Sequence, residues 1–332
     1  MALTHELATW LLDSDPTLKW QVERDLLAEP ERVWGATRDR MATEGFASRM
    51  LALQDADGQW DGGAFFPQTR EWAGEDPPQE WIDQSESTPG QPWTATTWTL
   101  NALRDWGLPA RYLAGTAERL AASSRWEYEG LPYWGGEVDV CINASTLANG
   151  AWLGADVTGL ASWFVEHRLD DGGWNCEWVE GSVRSSFHST LNALRGILYY
   201  EKAIGGTPEL RAARRGGEEY LLERRLLYRK SDGTDVGPWT RTFAYPLRWK
   251  CTALKALDYF AEAARFDGVD PDPRLADAVE VIRAARTPDG VWIQGERDAG
   301  KVWFEVDVPA GEPSKWLTLF GTRALDWWDS AR

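Results

Sequence analysis

Apolar residues recur at helical spacing along most of this chain, and the clearest example lies near its start. In the segment DPTLKWQVERDLL, Leu18, Val22 and Leu26 fall on one face of a helix. Asp15 and Pro16 directly precede them and suit the N-cap and the first helical position. The pattern therefore predicts a helix that starts at Pro16. Further helices are predicted over residues 3–12 and 38–54.

From residue 92 onward, two kinds of helical segment alternate. Segments of the first kind mix small and large apolar residues and carry little charge after their first turn, which is typical of helices buried on most sides. They begin near Pro92, Asp139, Phe187, Pro246 and Ser314. Segments of the second kind have a charged face and are predicted over 109–124, 158–168, 208–226 and 273–286. Turns rich in Gly and Trp, such as DADGQWDGG, LDDGGWNCEW and TPDGVW, follow the helix pairs.

This alternation predicts an all-α fold. Together with the N-terminal pair it gives about six inner and six outer helices, and six helix pairs can close into an (α/α)6 toroid. We expect one domain over residues 1–332. Residues 64–92 show no helical period and predict a long loop that covers one mouth of the ring. In the Gly/Trp turns, we expect most tryptophans to pack at helix junctions.

Composition and charge narrow the classes of function. The net charge is −17 and the isoelectric point about 4.7, which argues against nucleic acid or an anionic membrane as the main partner. The 22 tryptophans argue against disorder, and three cysteines do not resemble a disulfide framework. The sequence shows no secretory signal and no apolar run of membrane-spanning length. We therefore expect a cytoplasmic protein that is not inserted in a membrane and needs no second subunit.

An acid, a thiol and an imidazole stand at matching points of successive repeats. Asp139 and Cys141 lie two residues apart at the start of one inner helix, and His188 lies at the start of the next. If a closed ring brings these helix ends together, the three side chains form a zinc site with one open coordination position. In the alternative interpretation, Asp139 caps its helix while Cys141 and His188 are ordinary core residues.

The Gly-rich aromatic turns between short helix pairs resemble the repeats of the terpenoid cyclase and protein prenyltransferase superfamily, whose fold is an (α/α)6 toroid. More locally, the segment GGEVDVCINASTLANGAWL resembles the zinc motif of protein prenyltransferase β subunits. Asp139 and Cys141 match the Asp-x-Cys element of that motif, and His188 in SSFHSTLNALRGI matches its His element. The resemblance implies that these three residues bind a catalytic zinc ion.

Other residues depart from the patterns of this superfamily. The prenyltransferases carry cations just before the Asp-x-Cys element, where they hold a diphosphate, whereas this chain has YWGGEV with Glu137. A carboxylate at that place would repel a diphosphate, which argues against an isoprenyl diphosphate as substrate. Ile142 stands where the family has a Tyr. The DxDD acid motif of class II cyclases and the Cys-His-Gly signature of lanthionine cyclases do not occur in the sequence.

The starts of the inner helices also supply candidates for the lining of a central cavity. Several aromatic faces around one mouth suit an apolar or cationic substrate. Arg248, Lys315 and Lys19 could hold a carboxylate or phosphate if they converge, or could instead reach out from the rim. Cys251 is either a fourth metal ligand or a spectator, and Cys176 is interpreted as a packing residue of a turn. The predicted substrate contacts are Trp93, Trp98, Tyr245, Arg248, Trp249, Lys315 and Trp316.

Three functions fit the sequence. The first is a zinc-dependent enzyme that acts on a small hydrophobic substrate, terpenoid-like or aromatic, with the metal activating a thiol or water. Its predicted catalytic residues are Asp139, Cys141, His188 and Glu137. The second is a metal-free cyclase or isomerase in which Asp139 or Glu137 donates a proton. The third is a non-catalytic toroid that binds a hydrophobic ligand.

Overall fold

The structure, a computed structural model, describes residues 3–67 and 91–331. These residues are mainly helical, as the sequence predicts. Residues 68–90 of the predicted loop lie outside the described residues. Within the described ranges the α-helices are α1 (His5–Leu12), α2 (Pro16–Asp25), α3 (Glu31–Arg40), α4 (Gly45–Leu51), α5 (Thr96–Asp105), α6 (Thr116–Ser123), α7 (Val140–Leu153), α8 (Thr158–Glu166), α9 (Phe187–Ile204), α10 (Pro208–Leu222), α11 (Ala253–Asp267), α12 (Ala276–Ala285) and α13 (Lys315–Ser330). Two short strands, β1 (Trp292–Ile293) and β2 (Pro313–Ser314), pair antiparallel with Trp292 opposite Ser314.

The carboxylate of Asp15 caps the starts of two N-terminal helices, α2 and α4. Helix α2 starts at Pro16, as predicted, and the Asp15 side chain accepts a hydrogen bond from the Thr17 N–H at 2.9 Å. The prediction of a single helix over 38–54 is wrong, because a turn separates α3 from α4. Gly45 adopts a φ of 74° at that break, and the second Asp15 oxygen accepts from the Phe46 N–H at 2.8 Å.

Helix α11 starts later than the sequence predicts. The apolar pattern placed its start near Pro246, whereas the helix begins at Ala253. Thr252 sets this start, because its side-chain oxygen accepts a hydrogen bond from the Lys255 N–H at 3.2 Å. Residues 247–252 form irregular backbone instead, so Arg248 lies on a loop.

The tryptophans of the Gly/Trp turns are structural, as predicted. Trp60, Trp174 and Trp292 are almost completely buried. The indole N–H of each donates to the carbonyl of the residue ten positions earlier, at 2.8, 2.9 and 3.0 Å respectively. Each accepting carbonyl lies near the end of the preceding α-helix, where carbonyls lack partners within the helix. Gly172, two residues before Trp174, has a φ of 102° and gives the turn its left-handed step.

Six helices contact one another in succession: α5, α7, α9, α11, α13 and α2. The α7–α9 pair packs closely, since a Cβ added at Gly196 would lie 2.5 Å from the carbonyl oxygen of Ala144. Helix α2 approaches the end of α5 through the Trp20 indole, which donates to the carbonyl of Trp106 at 2.8 Å. Helices α8, α10 and α12 pack against members of this succession. No helix within residues 3–67 and 91–331 is long and apolar enough to cross a membrane.

A buried ion cluster joins α9, α10 and α11. The Arg214 side chain has no exposed surface and donates to Glu201 Oε2 at 2.6 Å, to Glu218 Oε1 at 2.7 Å and to Asp267 Oδ1 at 2.9 Å. The neighbouring Arg215 also pairs with Glu218 and Asp267, but 45% of its side chain is exposed. The guanidinium of Arg214 therefore compensates the buried carboxylates from within the core.

Candidate functional site

A cavity of about 1710 Å³ is lined by residues from all six helices of the succession. Five of the predicted substrate contacts line it, and the helices contribute residues that include Trp20, Trp98, Cys141, Asn192, Lys255 and Phe320. The five predicted contacts are Trp93, Trp98, Tyr245, Arg248 and Trp249. The cavity thus combines aromatic faces with many charged side chains of both signs, so it can contact both apolar and charged parts of a ligand.

The other two predicted substrate contacts line a second cavity of about 390 Å³. Lys315 donates to the carbonyl of Asp13 and lies over the ring of Trp10. Trp316 stacks on Tyr245 with ring centroids 4.4 Å apart and is buried. Lys315 is therefore separated from Arg248, which lines the larger cavity.

Cys141 lies in the first turn of α7, on the wall of the large cavity. Its Sγ accepts a hydrogen bond from Asn192 Nδ2 at 3.4 Å. Asn192 comes from α9, and its amide also donates to the carbonyl of Trp249 at 2.8 Å. The sulfur is therefore held against a polar group whose orientation is fixed by a second bond.

Cys176 lies beside Cys141, although the sequence interpretation treated it as a packing residue of a turn. The turn forms a short 3-10 helix over Cys176–Glu180, capped by the Asn175 side chain. Trp178 in that helix donates its indole N–H to the carbonyl of Val138 at 2.8 Å and ties the turn to the start of α7. As a result, the Cys176 and Cys141 sulfurs lie 3.5 Å apart as free thiols.

The two sulfurs have opposite electrostatic environments. The hydrogen bond from Cys176 lowers the pKa of Cys141, the Asn192 amide and the positive charge of Lys255 lower it further, and burial opposes them. The pKa of Cys176 is raised, first by its hydrogen bond to Cys141 and then by burial and the charge of Asp139. Ser189 donates its hydroxyl to Cys176 Sγ at 3.3 Å. Cys141 is thus the more acidic sulfur of the pair, and Cys176 donates to it.

Lys255 lies next to this pair, buried in the first turns of α11. Its Nζ donates to Asn192 Oδ1 at 2.7 Å and to the carbonyl of Arg248 at 2.5 Å. Burial, followed by the charge of Arg195, lowers the pKa of Lys255 to about 7. An amine with a pKa near neutrality can both give and take a proton, which suits acid–base catalysis.

The two predicted carboxylates differ in their surroundings. Asp139 lines the cavity, and burial raises its pKa, while a hydrogen bond with Cys176 lowers it. Glu137 accepts hydrogen bonds from the N–H groups of Val138 and Asp139 at 2.8 and 3.1 Å. Burial and the charge of Asp139 raise the pKa of Glu137 to about 7. Glu137 therefore supports the backbone that leads into α7, whereas Asp139 reaches the cavity.

His188 contacts groups other than the two sulfurs. Its Nδ1 accepts a hydrogen bond from the Cys251 N–H at 2.9 Å, and its ring packs against Trp239 and Trp249. Burial and the charges of Lys255 and Lys250 lower the pKa of His188 to about 4, so the ring is neutral at pH 7. Cys251 is buried, and burial raises its pKa to about 12.

The predicted zinc ligands do not form one cluster in the part of the chain that the structure describes. No group of three or more His, Cys, Asp and Glu side chains there is arranged to hold a metal ion. One nitrogen of His188 is already used by the backbone of Cys251. A zinc ion held by Asp139, Cys141 and His188 therefore stays a prediction from sequence.

Sequence reasoning missed Cys176, Asn192 and Lys255 as neighbours of Cys141. Asn192 is the sixth residue of α9 and Lys255 the third residue of α11, so both lie near the start of their helices. A polar residue at that position of a mostly apolar helix was the available signal. No protein-family model matches this chain, and no curated protein matches it significantly.

Proposed function

We propose that this protein is an enzyme that acts on a small hydrophobic substrate in the large cavity, with Cys141 as the reacting thiolate. One observation carries the proposal: the Cys141 sulfur lines an aromatic cavity and accepts hydrogen bonds from Cys176 and Asn192. Donors around a sulfur stabilise its anionic form, which is the nucleophile. The aromatic side chains of the same cavity supply apolar surface for the substrate.

The neighbouring groups have separate roles in this proposal. The Cys141 sulfur adds to a carbon of a polarised double bond in the substrate, the π electrons move to the electronegative end of that bond, and Asn192 holds the sulfur in place. Lys255 supplies a proton to the group that becomes negative when the bond to sulfur forms, because its amine lines the same cavity. Cys176 stabilises the resting thiolate through its S–H.

A pair of alkylating agents tests this function without knowledge of the natural substrate. N-decyl iodoacetamide and iodoacetamide react alike, since the thiolate forms a bond to carbon and iodide leaves. If the cavity binds the decyl chain beside Cys141, the decyl reagent should label Cys141 at least about tenfold faster. Decanol should slow the labelling by competition, and Cys141→Ser should abolish it.

The proposal fails if the decyl chain gives no acceleration, or if mass spectrometry finds the label mainly on another cysteine. Cys251→Ala is the matched control, because Cys251 is a buried thiol outside the cavity lining. That variant should be labelled at the wild-type rate. If decanol binds but no cysteine is labelled, the result would instead favour the non-catalytic toroid that binds a hydrophobic ligand.

For the fold, we propose the (α/α)6 toroid predicted from the repeats. The proposal is supported by the succession of helix contacts from α5 through α7, α9, α11 and α13 to α2. The Trp20 to Trp106 hydrogen bond, which links the two ends of that succession, also supports it. A cavity lined by all six helices is what a ring of inner helices would enclose.

A proton-initiated cyclase or isomerase is the second candidate, and Asp139 is the observation in its favour. Its carboxyl lines the aromatic cavity and has a raised pKa, so part of it remains protonated at higher pH than an exposed Asp. Glu137 does not belong to the described lining of that cavity. Activity on an alkene that survives Asp139→Asn would remove this candidate.

Zinc is tested directly by metal analysis of protein purified without chelator. A stoichiometric content that falls in Cys141→Ala would support the ligand set predicted from sequence. A content below about 0.2 equivalents would end the zinc prediction, since a zinc ion held by three protein ligands should be retained through purification without chelator.

A further inference from the structure

The structure carries a cluster of hydrogen-bond donors without acceptors, on the cavity wall near Trp93. The Arg248 guanidinium lies over the Trp93 ring, with Cζ 4.4 Å from its centroid, and 5.9 Å from the centroid of Trp98. Trp93 and Trp98 meet edge to face with centroids 4.6 Å apart. The aromatic faces therefore hold the arginine side chain in place.

The donors in this cluster lack partners. Within residues 3–67 and 91–331, the buried indole nitrogen of Trp98 has no hydrogen-bond partner, and neither has the buried side-chain nitrogen of Gln91. Both residues line the cavity together with Arg248. Buried N–H groups without acceptors are unusual, because each loses its hydrogen bonds to water.

No carboxylate among the described residues forms an ion pair with Arg248. Asp298 contributes to its electrostatic environment but is paired with Lys250. Burial lowers the pKa of Arg248 to about 10, because the charged form loses contact with water and no carboxylate pairs with it among the described residues. Arginine and indole nitrogens are donors only, so the missing partner must supply acceptor oxygens.

We infer that Arg248 and Trp98 bind the carboxylate of the substrate, whose apolar part extends into the aromatic cavity. This inference rests on the proposed function only for the location of the site. A carboxylate matches the guanidinium in charge and planar geometry, and Trp98 supplies an unpartnered indole N–H on the same wall of the cavity. The single guanidinium of Arg248 matches the single negative charge of a carboxylate, whereas a phosphate monoester carries a charge of about −1.5 to −2 at pH 7.

Arg248 and Trp98, the proposed carboxylate anchor, are connected to the reactive sulfur of Cys141 through the backbone of Arg248. The carbonyl of Arg248 accepts from Lys255, Lys255 donates to Asn192, and Asn192 donates to Cys141. These bonds keep the loop that carries Arg248 in a fixed position relative to the thiolate. A substrate held by its carboxylate would therefore be presented to Cys141 in a defined orientation.

Calorimetric titration with decanoate, decanol and decyl phosphate at pH 7.5 tests the inference. The wild-type protein should bind decanoate at least about tenfold more tightly than decanol, because a charged hydrogen-bonded pair is gained. Arg248→Met should remove that preference while leaving decanol binding intact, which also shows that the variant is folded. Trp98→Phe keeps the ring and should reduce the preference about threefold or more.

Arg195→Met is the matched control. Arg195 also lines the cavity, but it is ion-paired with Asp105 at 3.3 Å, so its loss should leave the preference for decanoate unchanged. The inference is overturned if decanoate and decanol bind equally to the wild-type protein, if Arg248→Met keeps the preference, or if decyl phosphate binds more than about tenfold tighter than decanoate.

The outcomes also separate this inference from the proposed function. Cys141→Ala should keep the preference for decanoate, because the sulfur is not part of the anchor. If the preference holds while the decyl iodoacetamide gives no acceleration, only the thiolate function fails. If labelling is accelerated and the preference is absent, only the carboxylate anchor fails.

Discussion

Removal of the Cys176 thiol should raise the pKa of Cys141. The sulfurs lie 3.5 Å apart, and the hydrogen bond from Cys176 is the largest influence that lowers the pKa of Cys141. A hydrogen bond to a charged group contributes about 1.5–3 kcal/mol. Since one pKa unit corresponds to about 1.4 kcal/mol, Cys176→Ala should raise the pKa of Cys141 by about 1–2 units.

The rate of alkylation by iodoacetamide, followed by mass spectrometry between pH 5 and 10, measures this shift. In Cys176→Ala the pH at which Cys141 reaches half of its maximal alkylation rate should move up by about the same 1–2 units, because the thiolate forms only at higher pH. Cys176→Ser retains an O–H donor and should show a smaller shift. Cys251→Ala should show no shift, since Cys251 makes no hydrogen bond with either sulfur of the pair and its backbone N–H donates to His188.

Two results would refute this reasoning. The first is an unchanged alkylation profile of Cys141 in Cys176→Ala, which would mean that Asn192 and Lys255 alone set its pKa. The second is faster alkylation of Cys176 than of Cys141 in the wild-type protein. That order of reactivity would reverse the assignment of donor and acceptor.

Two further predictions concern stability. Arg214→Met should lower the free energy of unfolding, measured by urea titration, by about 3–5 kcal/mol, because it leaves buried carboxylates uncompensated. Arg215 is half-exposed, so Arg215→Met should lower that free energy by less than about 1 kcal/mol. Equal losses in the two variants would contradict the role given to burial. The pKa of Lys255 is about 7 in the folded protein and 10.5 in the unfolded chain, so between pH 7 and 10.5 the unfolded chain binds more protons. The free energy of unfolding should therefore rise with pH over this range. Lys255→Met should abolish that rise, while Lys250→Met, which removes an exposed ion-paired lysine, should retain it.

The parts of the fold that depend on residues close together in the sequence could be predicted. The alternation of apolar and charged segments identified the all-α fold, and Asp15 with Pro16 identified the start of α2. The Gly/Trp turns were also interpreted correctly, because one Gly dihedral and one indole hydrogen bond decide their structure. The single helix predicted over 38–54 failed because a pattern of apolar residues continues across a break that Gly45 makes possible.

The start of α11 shows how a local bond can override an apolar pattern. Residues 247–252 have the composition of a helical turn, yet Thr252 caps the helix after them. That shift has a consequence for the site, since it leaves the carbonyl of Arg248 free to accept from Lys255. A helix that began at Leu247 would use that carbonyl in its own hydrogen bonds.

Contacts between segments that are far apart in the sequence determine which sulfur lies next to Cys141 in the candidate site. Two bonds place Cys176 there: the Asn175 side chain caps the 3-10 helix, and Trp178 reaches the carbonyl of Val138. The Trp178 bond joins residues that are 40 positions apart, so no local pattern reports it. Cys176, which the sequence interpretation treated as a packing residue, is therefore the sulfur next to Cys141. The role of His188 as a zinc ligand stays a prediction, because its observed hydrogen bond is to the backbone of Cys251.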